Sequence, residues 1–211
     1  IDGTRRIAKI ISKLQYPPKV FLCASAVGFY GDRKNKVLLE SESERGDLFI
    51  SKVCEEWERA TTCMIPPKVR IVNLRFGTVL SSAGGALKEM LLPFQLGLGG
   101  RLGKGDQFIS WICIDDLIGA IYHIIMTSSL EGAVNITAPN PVTNAEFTKE
   151  LAKCLHRYVG PPLPKCLILF LFGQKGEELL LSSIRAEPSK LLQTGYTFQY
   201  PSLKDALIHV L

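Results

Sequence analysis

Two runs of strand length, Val20-Phe21-Leu22-Cys23-Ala24 and Val69-Arg70-Ile71-Val72-Asn73-Leu74-Arg75, constrain the fold of this chain more than any other feature. The first is nearly continuous in apolar residues and ends in small ones, which predicts an inner strand of a parallel sheet, buried on both faces. Between the runs lie a charged stretch at 32–47, read as a surface loop, and a segment at 48–63. In that segment Phe49, Val53, Trp57 and Ala60 repeat at helical spacing, with Asp47 placed to cap the helix and Pro66-Pro67 to end the connection. Residues 1–14 carry Ile7, Ile10, Ile11 and Leu14 at the same spacing and stop at Pro17-Pro18, which adds an amphipathic helix in front. Helix, strand, loop, helix and strand in that order predict an α/β fold, because parallel neighbours need a crossover and a helix supplies it. Ligands of such sheets bind beyond the carboxyl ends of the strands, a position held here by Ser25-Ala26-Val27-Gly28-Phe29-Tyr30-Gly31.

Residues 91–116 read as the wall of a site. Gly97, Gly99, Gly100, Gly103 and Gly105 allow positive φ and close backbone approach, and a strand is predicted at 108–114. Its alternation puts Phe108, Ser110 and Ile112 on one face and Ile109, Trp111 and Cys113 on the other. Asp115 or Asp116 is placed to cap an apolar helix at 117–126, and a glycine-rich linker with an ordinary cap is the alternative reading. Further on, the chain predicts a strand at 133–136, a rigid turn at 139–141 and a helix capped by Thr143 or Asn144. An apolar helix at 165–172, continued at 177–181, precedes short helices at 188–193 and 202–211. The succession from Leu167 to Phe172 predicts a face set against another lobe or subunit, so a homo-oligomer stays open.

Composition matters here for what it removes. The net charge of +5 is scattered, with no dense basic block and no aromatic interleaving, so no nucleic-acid partner is expected. The apolar runs at 163–172 and 117–126 are too short to span a bilayer, and no membrane partner is expected. Six cysteines without a C-x-x-C pair read as reduced core residues of a cytoplasmic protein. His123, His156 and His209 sit far apart on separate helices, which suggests no metal set.

The strand ending in Ser25 with Phe29-Tyr30-Gly31, the helix carrying Ser51-Lys52, and Leu74-Arg75-Phe76-Gly77-Thr78-Val79-Leu80 resemble the extended short-chain dehydrogenase/reductases. Gly84-Gly85-Ala86-Leu87, Leu92-Pro93-Phe94, Gly97-Leu98-Gly99-Gly100, Gly103-Lys104-Gly105, Ser110-Trp111-Ile112 and Asp115-Asp116 resemble the epimerase-family, or nucleoside-diphosphate-sugar-epimerase-like, subgroup. The likeness runs on through 135–144 and Phe147 to Gly195-Tyr196-Thr197-Phe198 and Tyr200-Pro201, nearly the whole chain.

The resemblance implies a Rossmann-type parallel sheet, of which this chain carries the second half only, at 1–80, and a small C-terminal α+β substrate lobe at 81–211, with 108–136 returning near the sheet. It implies NADP or NAD, with NADP favoured, held only if the N-terminal half of the family's chain is present. The fingerprint G-x-x-G-x-x-G belongs to that half and is read as absent. The implied function is that of an NAD(P)-dependent oxidoreductase or epimerase-like protein acting on a small molecule. A non-catalytic dinucleotide-binding protein or a structural remnant is the alternative. The family uses Tyr and Lys four apart on one helix; Lys52 matches the Lys, and Leu48 stands where the Tyr belongs. The catalytic candidates are then Lys52, Ser25 (with Ala26 in the alternative register) and Tyr30, which is either proton donor or packing residue. Lys52, Arg75, Phe76, Gly77, Thr78 and Val79 are placed at the cofactor, Arg75 facing either a phosphate or a carboxylate. Gln107 and Trp111 are the substrate candidates, Trp111 as platform or as core.

Overall fold

A computed structural model describes residues 1–41, 44–62, 65–66 and 68–211, with backbone alone at 172, 174 and 175. The readings of Glu42, Cys63 and Pro67, and of the Phe172 side chain, lie outside the described residues.

Helix α1 (Asp2–Ile11) leads into β1 (Val20–Ala26), a 3₁₀ turn (Val27–Tyr30) and the two-residue β2 (Val37–Leu38). Helix α2 (Phe49–Thr62) then crosses over to β3 (Arg70–Phe76), which pairs parallel to β1 from Val20 opposite Arg70 to Ala26 opposite Phe76. β4 (Thr78–Leu80), α3 (Gly85–Gln95), β5 (Phe108–Ile109), β6 (Trp111–Cys113) and α4 (Ile114–Met126) come next, before β7 (Gly132–Ile136) completes the sheet by pairing parallel to β3. The remainder is β8 (Val142–Thr143), α5 (Asn144–Cys154), α6 (Lys165–Leu180), β9 (Arg185–Ala186), α7 (Ser189–Gln193) and α8 (Leu203–Val210).

The parallel α/β sheet is thus present, in the order β1-β3-β7. One of its faces is apolar: Val72, Leu74, Val134 and Ile136 pack against Ile112, Ala120 and Ile124. The other is mixed, with Phe21 and Ile71 joining Ala8, Ile11, Ile65 and Val69 beneath α1, and the polar Ser25, Asn73 and Arg75 buried further along. β1 stands at an edge of this sheet, and its Ala24 is exposed, where an inner strand buried on both faces was expected.

Other expectations change for reasons of packing. On α1 only Ala8 and Ile11 are buried, while Ile7, Ile10 and Leu14 remain exposed. On α2 the buried stripe is Ser51, Cys54, Ala60 and Thr61, and Phe49 is 63% exposed. The helix turns its small and polar side toward the sheet because the face it meets carries Ser25, Asn73 and Arg75. Its first turn is accepted by the Leu48 carbonyl, and the Glu178 carboxylate of α6, not Asp47, receives the Ile50 N–H. The stretch at 32–47 is more than loop: β2 pairs with β9, Leu38 is buried, and Glu40 accepts from the backbone N–H groups of Asn135 and Lys190. The strand expected at 108–114 is broken at Ser110 into β5, antiparallel to β8, and β6, parallel to β4. Its alternation holds, with Ile112 in one core and Trp111 and Cys113 in the other. Helix α5 begins with Thr143 and Glu146 in a reciprocal capping box. Cys23, Cys54 and Cys113 are buried thiols, whereas Cys166 is exposed. Beyond the buried Ile168, Leu167, Leu169, Phe170 and Leu171 all retain exposure.

Asp116 does not cap α4. It is fully buried and accepts from the backbone N–H groups of Gln199 (2.7 Å) and Tyr200 (2.9 Å), tying the 196–200 segment to the helix. The Tyr196 hydroxyl donates to the Asp116 carbonyl at 2.8 Å, and burial together with the Asp116 charge pushes its phenol above the ordinary tyrosine range. An unfolded chain releases that proton near pH 10 while the folded chain retains it, so the folded state binds more protons in that range. Stability is therefore expected to be full below about pH 10 and to fall as pH rises beyond it. Urea melts at pH 9 and pH 11 should show a smaller loss for Tyr196→Phe than for the parent chain.

Candidate functional site

The carboxyl ends of the sheet strands are level, with Ala26, Phe76 and Ile136 in register. Beyond them lies a cavity of about 290 Å3 whose wall includes Gly28, Gly31, Leu48, Phe76, Gly77, Thr78, Ser110 and Asn144. Gly77 is there for lack of a side chain: a Cβ would lie 2.6 Å from the Ser110 carbonyl oxygen and 2.9 Å from Thr137 Cγ2. That close approach lets the chain leave β3 and enter β4 with Gly77 N–H bonded to the Ile136 carbonyl and Thr78 N–H to that of Ser110. The glycine-rich stretch reaches the same cavity through Leu102, Phe108 and Ile109. At Gly100 a Cβ would fall 1.9 Å from the Pro161 carbonyl oxygen, so glycine is required for the strap at 160–163 to lie against it.

A buried polar network sits beneath the cavity. Arg75, 5% exposed, donates to both carboxylate oxygens of Glu58 (2.8 and 2.9 Å) and to the Tyr30 hydroxyl (3.0 Å). Ser25 donates to the same Glu58 carboxylate at 2.8 Å, and Tyr30 donates to Asn135 Oδ1 at 2.8 Å. The Asn135 amide closes the network on the carbonyls of Leu38 and Glu187. The Phe29 ring covers the guanidinium, 3.5 Å from centroid to Cζ. Burial raises the Tyr30 phenol, against the opposing pull of the Arg75 cation.

These contacts redirect three sequence readings. Arg75 is turned to a carboxylate, the second of its two alternatives, with its fork filled. Tyr30 is fully buried with its hydroxyl bonded on both sides, so it presents no proton to the cavity. The Ser25 hydroxyl is given to Glu58. Lys52 is exposed on α2, one turn beyond the half-buried Leu48, and the intervening Ser51 is fully buried and donates to the Gly28 carbonyl. Phe76, Gly77 and Thr78 line the cavity, whereas Val79 packs with the apolar sheet face. Trp111 is core, 0% exposed, and its Nε1 donates to the Asn140 carbonyl. Gln107 ties the glycine-rich stretch to the end of α6 by donating to the Leu102 and Leu180 carbonyls.

Sequence reasoning missed Glu58, Asn135 and Asn144. For Glu58 a signal existed: Ser51, Cys54, Glu58 and Thr61 recur at helical spacing, but they are polar where an apolar stripe was sought. The structure also gathers Cys113, Asp115 and His209, whose ligand atoms lie within 4.8 Å of one another. His209 bonds Asp115 through Nε2 and Tyr200 through Nδ1, so both imidazole nitrogens have protein partners. The string Gly97-x-x-Gly100-x-x-Gly103 does match a dinucleotide fingerprint, contrary to the expectation of its absence. It follows α3 instead of linking a strand to a helix, so it lacks the context that makes the fingerprint a phosphate cradle.

Comparison with known proteins places this arrangement. A family model described as a domain of unknown function, DUF1731, matches residues 163–210. Epimerase family protein Mb2239 of Mycobacterium bovis is 41% identical over 184 residues, which are 87% of this chain and 61% of the relative. The chain thus spans about three fifths of that relative's length. Human epimerase family protein SDR39U1 is 36% identical over 208 residues, 98% of this chain and 70% of the relative. The crystal structure of the human protein (isoform 2) with NADPH superposes with a TM-score of 0.93, covering 99% of this chain and 70% of that one.

Proposed function

Because this chain belongs to the epimerase family of the extended short-chain dehydrogenase/reductases, we propose that it is the substrate-facing portion of an NAD(P)-dependent oxidoreductase or epimerase-like protein. The observation that carries this reading is the cavity beyond the level strand ends, with Leu48 on its wall and Lys52 one turn away on α2. Residues 1–80 would belong to the cofactor domain and 81–211 to the substrate lobe, with 108–136 returning to the sheet, where β7 pairs with β3. β1 has the composition of an inner strand while standing at an edge, which suits further strands beside it in a longer protein, as does the greater length of the relatives.

The cavity fits part of a dinucleotide. Its volume, about 290 Å3, is at the low end of ligand sites, enough for the reacting end and not for the whole molecule. In this reading Gly77 and Thr78 form the wall against the ring and the Lys52 ammonium approaches the adjoining ribose. A bound dihydronicotinamide would supply hydride to a carbonyl carbon. Leu48 has no proton to give, and the hydroxyls of Ser25, Tyr30 and Ser51 are already donating to protein acceptors, so the proton for the carbonyl oxygen would come from water or from the Thr78 hydroxyl on the cavity wall. Leu48 also favours a second reading, binding without turnover. The chemistry supports NADP or NAD, and the NADPH in the human structure favours NADP.

The test is a fluorescence titration of NADPH and NADH against two proteins: the 211-residue chain, and a chimera joining the unmatched N-terminal segment of the human relative to Ile1. Binding by the chimera alone is the expected result. Failure of both to bind would remove the cofactor reading, and binding without oxidation in the presence of carbonyl compounds would select the second one.

A further inference from the structure

The small cavity shares a wall with a groove of about 800 Å3 between α3, the glycine-rich stretch, the strap at 160–163 and α6. Met90, Leu102, Asn144, Phe147, Leu179 and Leu180 line both. The groove's volume is that of a drug-sized ligand site, and its walls are overwhelmingly apolar. Among the described residues that line it none is Lys or Arg, and the single charged one is Glu89. The first turn of α5, which reaches this wall at Asn144, already has Thr143 and the Glu146 carboxylate in its cap. A diphosphate brings negative charges that proteins meet with cations or free N–H groups, so an electroneutral occupant is the better match.

Asn144 adds a polar anchor. It is 3% exposed, and its Oδ1 accepts the Leu102 N–H at 2.7 Å, which assigns the amide's orientation. Its NH2 then makes no hydrogen bond among the described residues, although the side chain lines both cavities. That nitrogen is not one of the buried atoms left without a partner, so it is open to the cavity space, where a ligand oxygen between cavity and groove would accept from it.

Building on the oxidoreductase reading, we infer that the substrate of this site is an apolar molecule with one carbonyl or hydroxyl oxygen, its hydrocarbon body in the groove and its oxygen near Asn144, and not a nucleoside diphosphate sugar. The groove can be tested without any cofactor, which separates this inference from the reading it rests on. Nile red would be titrated into the 211-residue chain and then displaced with 2-undecanone or with UDP-glucose. The ketone is expected to displace the dye and UDP-glucose to leave it in place. Leu179→Lys puts a charge at the groove on a side chain already 67% exposed, so folding tolerates it, and ketone affinity should weaken about tenfold. Phe170→Lys, on a residue 83% exposed outside the groove lining, should leave the affinity unchanged. Displacement by UDP-glucose, or equal effects of the two lysines, would overturn the inference. Ketone binding in a protein whose NADPH titration fails would leave the groove assigned and remove only the redox reading.

Discussion

Replacing Glu58 with alanine is expected to destabilise the chain by about 3–5 kcal/mol, among the largest effects of any single substitution here. The carboxylate receives two charge-assisted bonds from a guanidinium that is 5% exposed, and a third from Ser25. Without it the Arg75 cation stays buried with only the Tyr30 hydroxyl and the Phe29 ring for company. The cost is that of a stranded charge and not of the pair's net worth. Glu58→Met combined with Arg75→Met should therefore recover most of the loss, because well-packed apolar replacements of buried pairs are often neutral. Urea unfolding followed by tryptophan fluorescence measures both, since Trp57 lies on the same helix. A loss below about 1 kcal/mol for the single substitution would mean that the pair behaves as a solvated surface bridge.

Leu48→Tyr, in the chimera able to bind NADPH, is expected to raise the rate of carbonyl reduction by about 10²-fold or more. Leu48 lines the cavity at the residue before α2 and precedes Lys52 by four positions, about one helical turn, so a phenol there would stand close to the ammonium. A neighbouring cation favours the phenolate, which brings the hydroxyl closer to the range useful for proton transfer. Leu48→Phe supplies the ring without the hydroxyl and separates proton donation from packing. Equal rates for the two variants would show that the reaction, if any, takes place elsewhere. A rate gain confined to tyrosine would instead identify position 48 as the place where a proton donor acts.

The candidate site was legible in outline and misread in detail. The ends of β1 and β3, the Gly77 turn and the Leu48–Lys52 spacing all carry local signatures, and each lies at or beside the cavity. Arg75 was left between a phosphate and a carboxylate, and Tyr30 between proton donor and packing residue, because nothing near them in the chain shows which they would meet. Their partners are distant: Tyr30 and Asn135 are separated by 105 positions, Arg75 and Glu58 by 17. The α2 stripe was misassigned for the same reason, since apolar periodicity presumes an apolar partner and the sheet face opposite α2 is polar.

Periodicity, turn residues and caps act within a few residues, so the sequence by itself determined helices α1, α2, α4 and α5, the parallel pairing of β1 and β3, and the close turns of the glycine-rich stretch. Which buried polar groups satisfy one another, that β1 stands at an edge, and that the cavity shares a wall with a groove lined by no Lys or Arg among the described residues were decided by the tertiary structure alone. Those outcomes depend on surfaces assembled from segments far apart in the chain, and burial costs a polar group its water whether or not its partner is near in sequence.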